Sequence, residues 1–258
     1  MVLILSWENW SDQTGVTLTT DSEVSTLPVE NVADPIISKV WRTEATSAYL
    51  QTDLGSARAI DFFLLARLTF TTTDTIRLRL GTSAGAGDLL DTGAVSSNVN
   101  TNYGIWAHVL ATQISARYAR LDFVATSRAA LGYFDLGRQW IGTSFQPTYD
   151  AAYGYEDGRK DFSKMDYAER SGVALPLPTY QKRFVTFGLE ALSETEALDD
   201  MREMERIAGV RNQIALIPDP DSTRINQEAI IGRMMQSSPI RRPQFGIYSK
   251  VFDVWEDK

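Results

Sequence analysis

The 258-residue sequence predicts a mainly β protein in two parts: a β domain over residues 1–148 and a smaller α+β domain over 149–258. Three observations carry the prediction. In Asp74–Leu80, Ile76, Leu78 and Leu80 alternate with Arg77 and Arg79. In Ala116–Val124, Ala119, Leu121 and Phe123 alternate with Tyr118, Arg120 and Asp122. A period of two marks a half-buried strand. By contrast, one stretch alone, Ser193–Gly209, combines a helix start, an apolar stripe and a helix stop, so the second part holds one amphipathic helix.

Taken in order, Val2–Trp7 reads as a first strand, followed by a turn around Asp12 and Gly15. Val16–Thr20, rich in β-branched residues, is the next strand. Residues 27–61 begin with Pro28, Asn31, Asp34 and Pro35, the residues of a long ordered loop. The loop passes Trp41-Arg42 and feeds a strand at Tyr49–Asp53, closed by Leu54-Gly55-Ser56. Ala59–Leu68 is mostly apolar, as a strand buried on both faces would be. Gly81–Gly93 is a surface loop, Ala94–Thr101 is polar, and Ile105–Leu110 and Leu131–Gly142 supply further strands.

Pro147–Arg159, with three tyrosines among turn residues, joins the two parts. Two prolines extend Ser171–Tyr180, and Arg183–Leu189 is a strand with Phe184, Thr186 and Gly188 on one side. Ser193 and Glu196 then form a capping box. Ala197, Leu198, Met201, Met204, Ile207 and Ala208 make one apolar stripe, and Gly209 closes the helix. Gln213–Ile217 is a strand stopped by Pro218-Asp219-Pro220-Asp221-Ser222. Glu228–Met235 reads as either strand or helix, and Gln244–Trp255 as a long final strand. The order β-β-α-β-β defines the α+β class.

The succession N-x-x-D-P (Asn31–Pro35), V-W-R-T (Val40–Thr43) and D-L-G-S-A-R-x-I-D (Asp53–Asp61) is followed by R-Y-x-R-L (Arg117–Leu121) and D-L-G-x-x-x-x-G (Asp135–Gly142). Over residues 16–145 this order resembles discoidin-like, galactose-binding-type jelly-roll β-sandwich domains, most of all the variant in minor tail proteins of tailed bacteriophages. The Phe145–Tyr149 junction, Tyr153–Asp157 and the capped helix leading to Asp219-Pro220-Asp221 resemble tail-tube and tail-tip ring proteins. The resemblance implies a structural tail-tip protein, made in the bacterial host cytoplasm and resident in the virion tail. It would form a homo-oligomeric ring of three- or six-fold symmetry and meet tail tube, tape measure and hub proteins. The alternative is a carbohydrate-binding adhesin module recognising host surface glycans.

Charge narrows the partners. The net charge is −8, with ten basic and fourteen acidic residues up to position 148 and fifteen and nineteen after it. No basic block is present to grip nucleic acid or an anionic membrane. No run approaches the roughly 20 apolar residues that cross a bilayer, so membrane insertion is not expected, and the N-terminus lacks the pattern of a signal peptide. Without cysteine, thiol nucleophiles, disulfides and cysteine-held metals are excluded.

Catalysis is not expected. His108 is the sole histidine and sits in an apolar strand beside Trp106, a core or rim position. No phosphate-loop, zinc-protease or nucleophile-elbow motif occurs. Of the carboxylate pairs, Asp199-Asp200 reads as solvated on a helix, and Glu156-Asp157 and Asp219/Asp221 as turns. No cofactor is expected beyond a structural calcium implied by the resemblance, with Asp34 and Asp53 as candidate ligands. Sugar rings stack on aromatic faces and their hydroxyls need planar polar partners. Tyr103, Trp106, Trp41 and Arg42, together with Tyr49, are the candidates for a glycan platform. For Trp41 the competing role, a plug that anchors its long loop, is the stronger, with Arg42 paired to a loop carboxylate. Tyr103 lies in the clear loop Asn100–Gly104.

Overall fold

A computed structural model describes residues 3–152, 154–167 and 174–257. The first half carries β1 (Ile4–Ser6), β2 (Thr17–Thr20), β3 (Trp41–Arg42), β4 (Ser47–Ala66) and β5 (Thr75–Gly81). It continues with β6 (Leu90–Asp91), β7 (Val95–Ser96), β8 (Trp106–Val124), β9 (Asp135–Leu136) and β10 (Arg138–Gly142). Then come β11 (Glu156–Asp161), β12 (Lys164–Tyr167), β13 (Ala174–Leu177), β14 (Gln181–Leu192) and helix α1 (Met201–Ile207). β15 (Ile214–Ile217), the short helix α2 (Ile225–Glu228), β16 (Ile230–Met234), β17 (Arg241–Gln244) and β18 (Ile247–Glu256) complete the chain. The architecture is mainly β, with the strands arranged in antiparallel sheets.

Two compact units share these elements. One comprises Met1–Pro147 with Ile214–Ile231, the other Thr148–Gln213 with Gly232–Lys258. The expected 149–258 domain is therefore not one contiguous stretch, because eighteen residues of it count with the first unit.

The first unit is built on a sheet ordered β10-β4-β8-β5-β6, with β2 on β4 and β7 on β5. Its length comes from β4 and β8: β8 joins two expected strands into one, and β4 runs past a point where a turn was expected. Leu54-Gly55-Ser56 does not end the strand. Gly55 adopts φ +73°, its N–H donates to Asp53 Oδ1 at 2.9 Å, and β4 resumes its pairing with β8 at Arg58 after a register shift. A bulge bends and twists a strand without ending it, which is how one strand serves a curled sheet.

The buried-on-both-faces reading of Ala59–Leu68 holds: Phe62, Phe63, Leu64 and Leu65 are all buried. Phe63 and Leu65 face a core with Trp41, Phe70, Leu121, Phe123 and Phe134. Phe62 and Leu64 face a second cluster that includes Ile4, Trp140, Ala215, Ile217 and Ile231. Each such side chain contributes about 1.5–3 kcal/mol by leaving water. The second face is covered by the returning segment, whose β15 pairs with β1 in the register Ile4↔Ile217. Buried Asn226 pins that segment: its Nδ2 donates to the carbonyls of Ser97 (2.9 Å) and Asn98 (3.2 Å), and its Oδ1 accepts from Ala107 N–H at 2.9 Å.

In the second unit β14 pairs with β18 on one side and β11 on the other. Along β18 the buried set is Tyr248, Lys250, Phe252 and Val254, alternating with exposed Ile247 and Val251. Gly246, at φ +76°, turns the chain into a β17–β18 hairpin where a single strand from Gln244 was expected. The capping box forms: Ser193 N–H donates to Glu196 Oε2 at 2.7 Å and Ser193 Oγ accepts Glu196 N–H at 3.3 Å. The first turns, Glu196–Asp200, are wound as π-helix before α1 begins, and Ala197, Met201, Met204 and Ala208 are buried. Gly209 follows at φ +52°, the left-handed C-terminal residue. Of the motif at 153–157, Tyr153 lies outside the described residues, as do Ser171, Gly172 and Val173 of the Pro-extended stretch and Val2 of the expected first strand.

Helix and sheet of this unit are tied by an ion pair. Lys250 is buried on β18, its ammonium pairs with Glu205 of α1, and it also donates to Ser238 O at 2.6 Å. Removing one partner of a buried pair leaves an uncompensated charge. Glu205→Ala is expected to cost about 3 kcal/mol, whereas adding Lys250→Met restores stability to within about 1 kcal/mol of the parent. Urea unfolding of the single and double variants checks this.

Candidate functional site

One end of the first unit gathers loops far apart in sequence. The register of β3 against β9 sets Trp41 opposite Leu136 and Arg42 opposite Asp135. Because neighbouring residues on a strand point to opposite faces, the pair divides its labour.

Trp41 points inward and is 0% exposed. It packs edge-on against Phe134 (5.6 Å between centroids) and Phe123 (6.1 Å), and its indole N–H donates to Ser22 O at 3.1 Å. As a glycan-stacking residue Trp41 is corrected: it is the plug that anchors the long loop. Arg42 points outward and is one-third exposed. Its Nε donates to Asp135 Oδ1 at 2.7 Å and its Nη2 to Oδ2 at 2.8 Å, a bidentate fork, while the guanidinium lies 4.3 Å from the centre of the Tyr133 ring. Sequence reasoning missed Tyr133 and Asp135. Nothing local joins them to Arg42, 93 residues away in the case of Asp135.

The 67–74 segment holds this group in place. Thr69 exchanges backbone and side-chain bonds with Asp135: its N–H donates to Asp135 O (3.1 Å) and its Oγ1 accepts Asp135 N–H (2.9 Å). Its carbonyl accepts Arg128 Nε at 2.6 Å. The Asn100–Gly104 loop joins the same segment, as Leu68 N–H donates to Gly104 O at 2.8 Å. Gly104 sits at φ +64°, and an added Cβ would stand 3.1 Å from Leu68 O, so only glycine fits there without strain. Tyr103 is half-buried on this loop.

The rest of the expected platform lies elsewhere. Trp106, on β8 opposite Leu65, is 4% exposed and stacks on His108 at 5.6 Å, so it offers no ring face to a ligand. The polar loop before it suggested exposure, but strand pairing buries it. Tyr49 is on β4, its ring covered by the Arg120 guanidinium at 3.8 Å. Burial pushes the His108 pKa below its ordinary 6.5, which keeps the ring neutral near pH 7.

The two calcium candidates are occupied by bases. Asp34 pairs with Lys39 and accepts Ile36 N–H at 2.8 Å. Asp53 takes a fork from Arg117 at 2.8 and 2.9 Å. The hydrogen bond from Lys39 to one and from Arg117 to the other holds both carboxyls below their ordinary pKa. Among the described residues no three His, Cys, Asp or Glu side chains gather as a metal site. Nor is any helix among them long and apolar enough to cross a membrane.

No family model matches the chain, and no curated protein matches it. Solved structures do match. The chain is similar to CpGH89CBM32-6 produced by Clostridium perfringens (16% identity, TM-score 0.39, 52% of this chain and 98% of that one). It is similar to the family 32 CBM of C. perfringens NanJ in complex with galactose (15%, 0.41, 54% and 98%). A third is chitosan-binding module 1 of a chitosanase/glucanase from Paenibacillus sp. IK-5 (15%, 0.39, 53% and 99%). These neighbours are carbohydrate-binding modules. None of the three is a tail protein, and identity this low says nothing of this chain's own ligand.

Proposed function

We propose that the first unit is a non-catalytic glycan-binding domain whose rim centres on Arg42, Tyr133 and Asp135, with Tyr103 on the adjoining loop. The observation that carries this reading is the fixed Arg42 fork. A planar guanidinium, held by Asp135 and laid over Tyr133, presents its remaining N–H donors at a half-exposed aromatic edge. Sugar hydroxyls suit a rigid planar donor of this kind, with the Tyr103 ring on the adjoining loop as the aromatic surface for the sugar ring. Because Asp135 and Thr69 set its position before any ligand arrives, little side-chain entropy is lost on binding.

Glycan arrays of the full chain test the proposal. The parent retains at least one neutral glycan, and Arg42→Ala or Tyr133→Ala weakens it about tenfold or more, the scale of a charge-assisted hydrogen bond or a lost stacking surface. Trp106→Ala is unsuitable as a binding probe because that side chain is core. A parent that binds no glycan overturns the reading.

A second reading, self-association through the second unit as the expected homo-oligomeric ring would require, draws on one feature of that unit. Met165, Tyr167, Leu177, Tyr180 and Val251 are exposed, and Phe245 at the β17–β18 turn is 94% exposed. Where such side chains adjoin in one patch, they mark an association surface. Mass measurement in solution decides it: a ring of three or six copies supports this reading, a strict monomer at micromolar concentration removes it.

A further inference from the structure

β8 leaves its partner strand for four residues. Ile60 pairs with Ile114 and Phe62 with Val109, so Asp61 alone on β4 spans the gap that Leu110, Ala111, Thr112 and Gln113 fill on β8. An ordinary bulge carries one extra residue; this one carries three, and bulges of this kind re-aim side chains beside functional sites. The looped-out residues open a cleft of about 530 Å³, within the range of small-ligand sites. Its apolar wall includes Ile4, Leu110 and Pro220, and its polar groups are Asp61, Gln113, Ser144, Gln146 and Asp221.

The lining has a definite sign. It contains two carboxylates and no Lys, Arg or His, so an anionic ligand is repelled. Asp61 is oriented by Ser144: Oδ1 accepts Ser144 N–H at 2.5 Å and Oδ2 accepts the Ser144 hydroxyl at 3.0 Å. A carboxylate has about four lone-pair sites, so acceptor capacity remains. Partial burial disfavours its charge and raises its pKa from the ordinary 3.8, which a cation in the cleft would reverse. The Gln113 and Gln146 amides, donor and acceptor at once, suit hydroxyl groups.

The geometry points to a second ligand site in the first unit: the cleft takes an amino-sugar unit, its protonated amine on Asp61 and its hydroxyls on Gln113 and Gln146. The site shares no residue with the Arg42 rim and stands or falls separately from it. The charge on Asp61 selects for the amine, and Leu110 and Pro220 border the ring.

Titration of the ¹⁵N-labelled full chain with glucosamine, N-acetylglucosamine and glucuronate at neutral pH tests this. Glucosamine shifts the backbone amides of 61, 113 and 144 saturably. N-acetylglucosamine, the same ring with its charge removed, binds about tenfold more weakly, the scale of one charge-assisted contact, and glucuronate does not bind. Asp61→Asn brings glucosamine down to the affinity of its N-acetyl form. Gln113→Ala weakens both sugars about threefold, the worth of one neutral hydrogen bond, and serves where Asp61→Asn does not fold. Equal affinity for the charged and acetylated sugars overturns the proposal. So does absence of saturable glucosamine binding, or binding that both variants leave unchanged.

Discussion

Trp41→Ala is expected to destabilise the first unit by about 3–5 kcal/mol, the range for deleting a fully buried large aromatic. The indole fills space between Phe123 and Phe134, and removing it leaves a cavity the surrounding sheet cannot close. It also takes from Ser22 O the indole donor, leaving that carbonyl only the Thr20 hydroxyl at 3.3 Å. Since Arg42 is the next residue and shares β3, the rim loses its geometry as well. Trp41→Phe keeps part of the ring and gives up the hydrogen bond, so a loss of about 1–3 kcal/mol is expected. Urea unfolding followed by circular dichroism measures both, and a Trp41→Ala protein as stable as the parent would show that the plug holds nothing.

The second large effect is at Asp74. This buried carboxylate accepts five hydrogen bonds: from Thr71 N–H (2.7 Å) and hydroxyl (3.2 Å), from the Thr126 hydroxyl (3.2 Å), and from Ser127 N–H (2.8 Å) and hydroxyl (2.6 Å). Burial alone would raise its pKa, but the bonds from Ser127 and Thr71 outweigh burial and carry it below the ordinary 3.8. These bonds lock the 69–74 segment to the 126–128 turn, and Thr69 in turn holds Asp135 at the rim. Asp74→Asn keeps the shape and loses the charge, with an expected cost of about 1.5–3 kcal/mol at neutral pH.

The pH dependence follows from the direction of the shift. A carboxyl whose pKa is lower folded than unfolded binds fewer protons when folded, so its stabilisation is complete above the unfolded value near 3.8. It fades as pH falls through the folded value. The stability gap between parent and Asp74→Asn should therefore be constant at neutral pH and shrink once pH drops below about 4. Unfolding midpoints of the two proteins across that range check it, and a gap that widens in acid would reverse the assignment.

The strands with alternating faces, Asp74–Leu80 and Ala116–Val124, were legible because their period records one wet and one dry face. The helix was legible because its cap chemistry is local. The long β4 and β8 were not: Gly55 reads as a turn by itself, and only pairing with a strand over sixty residues away makes it a bulge. The return of Ile214–Ile217 to the first unit was equally hidden, since an apolar tetrad carries no address. At the site, Trp41 as plug and Arg42 paired to a carboxylate could be read from residue type. Tyr133 and Asp135 could not, and Trp106 was misplaced because its loop looked exposed while its strand is core.

Glycan binding at the Arg42–Tyr133–Asp135 rim is tested most directly by mapping backbone-amide shifts on the full chain with a neutral glycan that the parent retains on an array. Shifts are expected at Arg42, Thr69, Tyr103, Tyr133 and Asp135, and their loss in Arg42→Ala. Shifts that leave all five positions unmoved, or no retained glycan to add, would contradict it.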